Sequence, residues 1–206
     1  KKLIYLQTSL CYGSTPSGEP IKIGHPYFSG GYKGGSSYAI SKTGGELYLE
    51  LSGQPFISLR LANIYGPRNL SGPLPTFYKR LSGKLSCTIA DTSRDFVYIS
   101  DVVSVIEKLV NGPMINGYYH VASGTEHKIK ELFGFVCRYM QINAPDFRES
   151  SISADDVATI LLDPSATRDD LGWLPLVSLE EGVKKTVEWY KLNKLSETYT
   201  HLKNYY

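Results

Sequence analysis

The stretch FISLRLANIYGPR, residues 56–68, decides the fold class of this chain. Its first seven residues are mostly apolar, which predicts a buried strand over 56–62. Gly53-Gln54-Pro55 directly precedes this strand, and such a segment ends a helix. A buried strand that follows a helix is typical of a parallel α/β unit, so the residues before 53 should supply that helix and a second strand.

These upstream elements can be found in the sequence. Residues 37–51 predict a helix, with the serine at 36 or 37 as its N-cap. Gly44-Gly45 inside this helix costs about 1 kcal/mol per residue relative to Ala, so we expect close packing there against another backbone. Residues 3–6 predict a short buried strand. Strand, helix and strand together predict a parallel pair joined by a right-handed crossover.

The sequence after residue 68 predicts shorter elements. Ser100-Asp101 is suited to cap a helix, Asp163-Pro164 to begin another, and residues 178–181 form a capping box that opens a last helix. The hydrophobic pattern predicts helices over 73–81, 100–110, 127–140, 163–172 and 178–195, and strands over 85–89, 95–98, 117–122 and 160–162.

The composition is that of one or two globular domains. The chain has 206 residues, 42% of them hydrophobic, and a net charge of +2 with scattered Lys and Arg, so we expect no nucleic-acid partner. No apolar run approaches the roughly 20 residues that span a bilayer, and the first apolar run is too short for a signal peptide, so we expect no membrane association. Three widely spaced cysteines predict a reduced, cytoplasmic chain, and the four histidines lack metal-ligand spacing, so no metal site is expected.

Tyr38 and Lys42 are the residues best suited to catalysis. They lie four apart in the predicted helix, where positions i and i+4 share a face, so the Lys42 ammonium can approach the Tyr38 hydroxyl. A positive charge favours phenolate, and such a phenol can take a proton from an alcohol while a bound nicotinamide takes the hydride. Thr8, at the end of the first strand, would orient the substrate oxygen, because ligands bind at strand ends in open α/β sheets.

The Tyr-x-x-x-Lys spacing alone has little weight. The sequence contains three such pairs, and chance predicts about one. An exposed helix face is the alternative for the first pair, and it is the expected role of the two pairs in the polar tail, Tyr190/Lys194 and Tyr199/Lys203. The flanking strands and Thr8 favour the catalytic interpretation for the first pair.

Other polar features give weaker indications. Arg94 can fork onto a phosphate, or else pair at the surface with Asp95 or Asp101. Asp155-Asp156 are adjacent acids of the kind that loops expose to solvent. The glycines between 30 and 35 follow no apolar strand and lack the G-x-G-x-x-G spacing, so we reject them as a nucleotide-binding fingerprint.

In order, the motifs resemble those of an extended short-chain dehydrogenase/reductase of the sugar-nucleotide epimerase/dehydratase group. The matching segments are QTSLCYG (7–13), YAISK (38–42), LRLANIYGPR (59–68), RDFVYISD (94–101), LGW (171–173) and LEEG (179–182). The resemblance implies an α/β fold, with the C-terminal part of a Rossmann-like parallel sheet and a smaller mixed α/β substrate-binding domain. It places the NAD-binding part in residues 1–70 and the nucleotide-sugar part mostly in 71–206, with about 90–122 returning to the Rossmann sheet.

The same resemblance implies a role for each matching residue. The groups are catalytic Thr8, Tyr38 and Lys42; cofactor-binding Thr8, Tyr38, Lys42 and Leu61; and substrate-binding Asn63, Arg94 and Asp156. The implied cofactor is NAD, and the implied substrate is a nucleotide sugar, a UDP- or dTDP-hexose. A homodimer that pairs through the helix containing Tyr38 is expected for the full-length protein.

The sequence departs from the family pattern at three places. The glycine-rich turn that grips the NAD pyrophosphate would lie upstream of Lys1, so we expect a fragment that binds NAD poorly by itself. Ser9-Leu10 follow Thr8 where family dehydratases have Asp-Glu, which favours epimerisation or reduction over elimination of water. Ser153 stands where a second phosphate-binding Arg is usual, so Arg148 would have to help.

The leading hypothesis is an NAD-dependent nucleotide-sugar 4-epimerase of bacterial polysaccharide synthesis that works through a transient 4-keto sugar. A nucleotide-sugar reductase or dehydrogenase of the same fold is one alternative, and a non-catalytic remnant of the fold is another. The sequence specifies neither the base nor the sugar of the substrate.

Overall fold

The computed structural model describes residues 2–28, 36–143, 145–152 and 156–193. They form an α/β structure with parallel strand pairs, as predicted. Within these ranges no helix is both long enough and apolar enough to cross a membrane. Several residues singled out above lie outside the described residues: Gly30 to Gly35, Ser153, Asp155, Lys194, Tyr199 and Lys203. Tyr190 is described and is buried, with its hydroxyl donating to Asn69 O, so the exposed role expected for it is wrong.

Helices and strands alternate along most of the described chain. The helices are α1 (Ser37–Ser52), α2 (Pro73–Ser82), α3 (Ile99–Asn111), α4 (Ile129–Met140), α5 (Ser165–Leu171) and α6 (Leu179–Leu192). The strands are β1 (Ile4–Thr8), β2 (Ile57–Leu61), β3 (Asn63–Tyr65), β4 (Cys87–Ala90), β5 (Ser93–Arg94), β6 (Phe96–Tyr98), β7 (Gly117–Val121), β8 (His127–Lys128), β9 (Phe147–Ser150) and β10 (Thr159–Ile160). A short 3-10 turn, Ser9–Tyr12, follows β1.

Three strands form the sheet that positions the candidate site. β1, β2 and β7 are parallel and adjacent in that order. Thr8 at the end of β1 is the register partner of Leu61 on β2, and Leu61 is that of Val121 on β7. Helix α1 lies between β1 and β2 in the chain, so the predicted strand–helix–strand unit is confirmed as a parallel pair. The carboxyl ends of the three strands therefore share one edge. The burial predicted for the first strand over 3–6 is wrong, because Leu3 and Leu6 are exposed and β1 is buried only at Gln7 and Thr8.

Two clusters of buried side chains stabilise the described structure. One surrounds the parallel sheet and includes Leu59 and Val105. The other packs α2, α4 and α6 against β4 and includes Leu132 and Val183. Burial of apolar surface at roughly 25 cal/mol per Å² makes such clusters the main source of stability. The domain limits given above stay a prediction.

Local sequence signals mark the beginning and the end of helix α1, and between them Gly45 makes room for the Tyr5 side chain. The Ser36 hydroxyl accepts from Ala39 N, and Gly53 closes the helix in the left-handed region with φ 65°. The predicted backbone contact at Gly44-Gly45 is wrong, because Gly45 faces a side chain: a Cβ added there would overlap the Tyr5 hydroxyl. A Cβ added at Gly44 would have no atom within 4 Å.

Replacing Gly45 by Ala should lower the free energy of unfolding by about 1–3 kcal/mol. The new methyl group would push Tyr5 from its place, where its hydroxyl donates to Lys42 O at 2.7 Å. The adjacent Gly44→Ala is the matched control and should instead stabilise by up to about 1 kcal/mol, because Ala is the better helix former and the space is open. Urea unfolding of both variants checks this, and equal effects on the free energy of unfolding would contradict the close contact between Gly45 and Tyr5.

Two predicted helix starts are wrong for the same physical reason. Helix α3 begins at Ile99 without a side-chain cap, and Asp101 in its first turn accepts instead from Val177 N at 3.1 Å. Helix α4 begins at Ile129 rather than at residue 127, because His127–Lys128 pairs with β5. In both places a tertiary contact takes up polar groups that the local pattern assigned to the helix.

The last two helix starts agree better with the sequence. Ser178 accepts from Glu181 N at 3.3 Å and opens α6, so the predicted cap is confirmed. Helix α5 begins at Ser165, after Asp163 Oδ1 has accepted from Ser165 N at 2.8 Å. The predicted strand over 160–162 is shorter: β10 ends at residue 160.

Candidate active site

A cavity of about 610 Å³ lies at the carboxyl edge of the parallel sheet. The predicted site residues Thr8, Tyr38, Leu61 and Asn63 all contribute to its wall, although they come from β1, α1, β2 and β3. Strand ends in an open α/β sheet are where ligands bind, and the volume suits a small-molecule site. The structure therefore brings these four residues together.

Hydrogen bonds fix both the main chain and the side chain of Thr8. Its main-chain N donates to Gln7 Oε1 at 2.9 Å, and its Oγ1 accepts from Leu10 N at 3.3 Å as the N-cap of the 3-10 turn. Because the hydroxyl oxygen accepts that bond, its own hydrogen is left to donate to a ligand.

Tyr38 and Lys42 both lie in the first two turns of α1, but Tyr38 faces the cavity and Lys42 contacts β1. Tyr38 is 49% exposed and opens onto the cavity. The Lys42 ammonium does not meet the Tyr38 hydroxyl as predicted; it donates to Leu6 O on β1 at 2.9 Å and lies 5.4 Å from the centre of the Tyr5 ring. The carbonyl and the ring face together hold the cation against β1.

Two tyrosines supply the titratable side chains of this cavity among its described lining residues, in which no acid, histidine, lysine or cysteine occurs. Tyr65 is buried, and its hydroxyl donates to the Ser178 and Leu179 carbonyls at 3.3 Å each. Burial raises the pKa of Tyr65 well above its ordinary value, so it holds its proton. Tyr38 is therefore the better candidate to exchange a proton with a ligand.

Arg94 and Asp156 form a separate pair outside this wall. The Arg94 side chain is buried; its Nη1 donates to the Ser93 and Ala158 carbonyls, and its Nη2 bonds to the half-exposed Asp156. Burial lowers the pKa of Arg94, although Asp156 opposes the shift. The alternative of a surface pair with Asp95 or Asp101 is wrong.

Asp95 has its own buried site beside Arg94. Its Oδ1 accepts from Ser123 N at 2.8 Å and from Ser123 Oγ at 2.6 Å, and its Oδ2 accepts from Gly124 N at 2.9 Å. Burial raises the pKa of Asp95 to about 6, against the effect of these hydrogen bonds. The carboxylate thus joins the loop after β7 to the segment between β5 and β6.

The sequence analysis missed a buried ion pair next to the sheet. Glu46 on α1 accepts from Arg60 on β2 through both carboxylate oxygens, at 3.1 and 3.2 Å. Ser58, Tyr27 and Gln7 also donate to this carboxylate. Burial raises the pKa of Glu46, but these hydrogen bonds and the Arg60 charge outweigh it, so the pKa lies below the ordinary value. The signal was available: Ser58 and Arg60 alternate within an otherwise apolar strand.

Arg60 also begins a chain of hydrogen bonds across the sheet. Its Nη1 donates to Tyr12 Oη at 2.7 Å, and Tyr12 Oη lies 2.7 Å from His120 Nε2. His120 Nδ1 lies 3.0 Å from the Asp163 carbonyl, which only accepts, so Nδ1 holds the hydrogen and Nε2 accepts from Tyr12. Burial lowers the pKa of His120 to about 4, which keeps this imidazole neutral. In the described part of the chain, no group of three or more potential side-chain ligands can hold a metal ion.

The curated relatives that the chain matches are sugar-nucleotide enzymes. UDP-glucose 4-epimerase of Mycolicibacterium smegmatis is 32% identical over 169 residues, 76% of this chain and 53% of the relative. CDP-abequose synthase of Salmonella muenchen is 36% identical over 141 residues, 63% of this chain and 46% of the relative. Other relatives are dTDP-glucose 4,6-dehydratases. The chain spans about half the length of these curated relatives.

A solved structure extends the likeness over nearly the whole chain. The Bordetella bronchiseptica enzyme WbmG, in complex with NAD and UDP, matches with a TM-score of 0.85 at 38% identity, over 98% of this chain and 62% of the WbmG chain. The profile of the NAD dependent epimerase/dehydratase family matches residues 1–117, more than half of the chain. The chain therefore belongs to the NAD dependent epimerase/dehydratase family.

Proposed function

We propose that the full-length protein is an NAD-dependent nucleotide-sugar 4-epimerase with Tyr38 as its acid/base. The observation that supports this most directly is the cavity wall itself. Thr8, Tyr38, Leu61 and Asn63 meet there, and Tyr38 is the titratable lining residue whose hydroxyl is not committed to a main-chain carbonyl in the described structure. A proton carrier beside a fixed hydroxyl suits reversible oxidation of an alcohol.

The residues at the sheet edge fit the nicotinamide end of NAD. Leu61 offers an apolar wall in register with Thr8, and the Lys42 ammonium bonds to Leu6 O, two residues before Thr8 on β1. We assign cofactor binding to these three residues together with Tyr38. Bound NAD supplies the hydride acceptor and donor that the alcohol carbon requires.

Residues of the chain bind the substrate hydroxyl and transfer its proton. Thr8 Oγ1 already accepts from Leu10 N, so its hydrogen can be donated to the substrate oxygen and hold it in place. In its deprotonated form, Tyr38 Oη takes the proton of the sugar 4-hydroxyl, becomes a neutral phenol, and later returns that proton. General acid–base catalysis of this kind contributes typically 10²–10⁴-fold to a rate.

Asn63 and Arg94 are proposed to hold the nucleotide diphosphate, and Asp156 to bind the substrate elsewhere. Asn63 lines the cavity, and its main-chain N is fixed by Asp95 O at 2.9 Å. The planar Arg94 fork matches phosphate oxygens, and it can exchange Asp156 for them because Asp156 is half-exposed. The UDP in the WbmG complex supports a nucleotide substrate class.

The wall of the cavity favours epimerisation over dehydration. Elimination of water needs an acid and a base at the sugar besides the group that handles the 4-hydroxyl. Leu10 lines the cavity close to Thr8, and no carboxylate is found among the described lining residues. Among the described lining residues, the wall therefore offers Tyr38 for one proton and no carboxylate for the leaving hydroxide.

The direct test supplies the full-length protein with UDP- or dTDP-hexoses and NAD, without added reductant. We expect interconversion of the 4-epimers, followed by proton NMR, with no net change in the absorbance of reduced cofactor. A 4-keto-6-deoxy product would indicate a dehydratase instead. Turnover only with stoichiometric consumption of reduced cofactor would indicate a reductase, and no turnover of any nucleotide sugar would favour a non-catalytic remnant.

A homodimer through α1 is part of the proposal. The outward face of α1 exposes Ile40, Leu47, Tyr48 and Leu51. Contiguous exposed apolar side chains on one helix are typical of a protein–protein contact. Sedimentation of the full-length protein as a dimer, lost when Leu51 is replaced by Glu, is the expected result.

Replacing Arg94 by Lys should raise KM for the nucleotide sugar about 10–100-fold, with a much smaller change in kcat. Lys keeps the charge but loses the planar fork, and a hydrogen bond between charged groups contributes about 1.5–3 kcal/mol. Arg168→Lys, at an exposed pair with Asp169, is the control and should leave both constants unchanged. An Arg94→Lys enzyme with an unaltered KM would remove Arg94 from the substrate site.

A further inference from the structure

One unassigned feature joins β1 to the middle of α1. Tyr5 Oη donates to Lys42 O at 2.7 Å, and Gln7 Nε2 donates to the same carbonyl at 3.1 Å. Lys42 Nζ in turn donates to Leu6 O at 2.9 Å. Three consecutive residues of β1 thus hold a single residue of α1, which lies one helical turn after Tyr38.

Gln7 extends this contact to the threonine of the site. Its Oε1 accepts from Thr8 N at 2.9 Å, and its Nε2 reaches Glu46 Oε2 at 3.2 Å as well as the Lys42 carbonyl. Gln7 is 1% exposed. One buried amide therefore bonds to the main chain of Thr8 on one side and to two positions of α1 on the other.

The orientation of this amide is fixed by its surroundings. Glu46 and the Lys42 carbonyl accept and do not donate, so the NH₂ group must face them and Oε1 must face Thr8 N. The Glu46 carboxylate is itself held from β2 by Arg60 and Ser58. The Gln7 amide can therefore neither rotate nor move without breaking hydrogen bonds that are buried from water, which costs about 1–3 kcal/mol for each group left unpaired.

We propose that Gln7, with Tyr5 beside it, is a positioning residue that sets the distance between the Thr8 hydroxyl and the Tyr38 phenol. The inference rests on the proposed function, in which these two groups share one substrate oxygen. Gln7 also contributes to the cavity wall, but its amide nitrogen and oxygen bond to Lys42 O, Glu46 and Thr8 N. It therefore acts through the placement of α1 on β1. A displacement of about 1 Å at a reacting group can cost on the order of 100-fold in rate.

The test replaces Gln7 by Met in the full-length protein, which keeps the length of the side chain and removes its hydrogen bonds. We expect kcat to fall about 10–100-fold while KM for the nucleotide sugar stays within about twofold, because Asn63 and Arg94 are untouched. Hydrogen exchange of the protein without ligand should speed up at Thr8 and over residues 39–46. Thr186→Val is the control: it removes one buried hydrogen bond, to Gly182 O at 2.7 Å in α6, and should change neither kcat nor the exchange of α1.

The outcomes separate this proposal from the proposed function. A folded Gln7→Met protein with wild-type kcat, or with unchanged exchange over 39–46, overturns the positioning role. If Gln7→Met does not fold, Tyr5→Phe decides, since it removes one bond to the same carbonyl: a kcat lowered about 3–10-fold supports the proposal, and an unchanged kcat overturns it. If the wild-type protein turns over no nucleotide sugar, the proposed function fails. Faster exchange in Gln7→Met would still support the role of Gln7 in holding α1 against β1.

Discussion

Replacing Tyr38 by Phe is expected to lower kcat about 10²–10⁴-fold with little change in KM for the nucleotide sugar. The substitution removes one hydroxyl from a side chain that is 49% exposed at the cavity wall, so the fold has little to lose. Loss of a group that acts on the proton in the transition state lowers kcat and kcat/KM together. Steady-state kinetics of the full-length protein, together with its unfolding curve, measure both effects.

Helix α1 offers a matched control for this variant. Tyr48 lies ten residues further along the same helix and is 78% exposed. Tyr48→Phe removes the same hydroxyl from the same helix but keeps the apolar ring on the face proposed for the dimer contact, so kcat should stay within about twofold. Equal losses in the two variants would attribute the Tyr38 effect to the helix rather than to the site. Turnover at the wild-type rate in Tyr38→Phe would end the assignment of Tyr38 as the acid/base.

The part of the fold that local patterns encode was predictable from the sequence. The apolar run that became β2 and the serine and glycine that bound α1 are signals contained in a few neighbouring residues. The predicted helix starts differ from the structure where a residue distant in the sequence bonds to the polar groups of the helix start. Asp101 caps nothing because Val177 N, far along the chain, is its donor. No window of sequence contains that information.

The site shows the same limit. Thr8 was predicted at the site because ligands bind at strand ends in open α/β sheets, whereas the roles of Leu61 and Asn63 came only from the resemblance to a family. The structure places all three in one cavity wall with Tyr38. The partner of Lys42 was missed because i,i+4 spacing describes only the helix, whereas Leu6 and Tyr5 belong to the neighbouring strand. Arg94 was singled out from the sequence, but its burial and its bond to Asp156 depend on β10 and the segment before it.

The ion pair of Glu46 and Arg60 is expected to be the most sensitive point for stability. Replacing Glu46 by Gln should lower the free energy of unfolding by about 3–5 kcal/mol, because it leaves the Arg60 charge buried without a counter-charge. The additional change Arg60→Met removes that charge, so the double variant should be no less stable than Glu46→Gln alone. Urea unfolding of the single and double variants forms the cycle, and losses that simply add would show that the two side chains do not depend on each other.

The pH dependence gives an independent measure of the same pair. The pKa of Glu46 is lowered in the folded state, so its contribution is complete above the ordinary glutamate value of about 4.5 and is lost as the pH falls below it, through the folded pKa. The difference in stability between the wild-type protein and Glu46→Gln should therefore shrink as the pH falls below about 4.5. Glu181→Gln is the control, since Glu181 pairs with Lys185 at 2.7 Å on the surface, where water screens the charges. A wild-type contribution that instead grows as the pH falls toward about 4.5 would mean that the pKa of Glu46 is raised in the folded protein, and that burial outweighs the hydrogen bonds from Arg60, Ser58 and Tyr27.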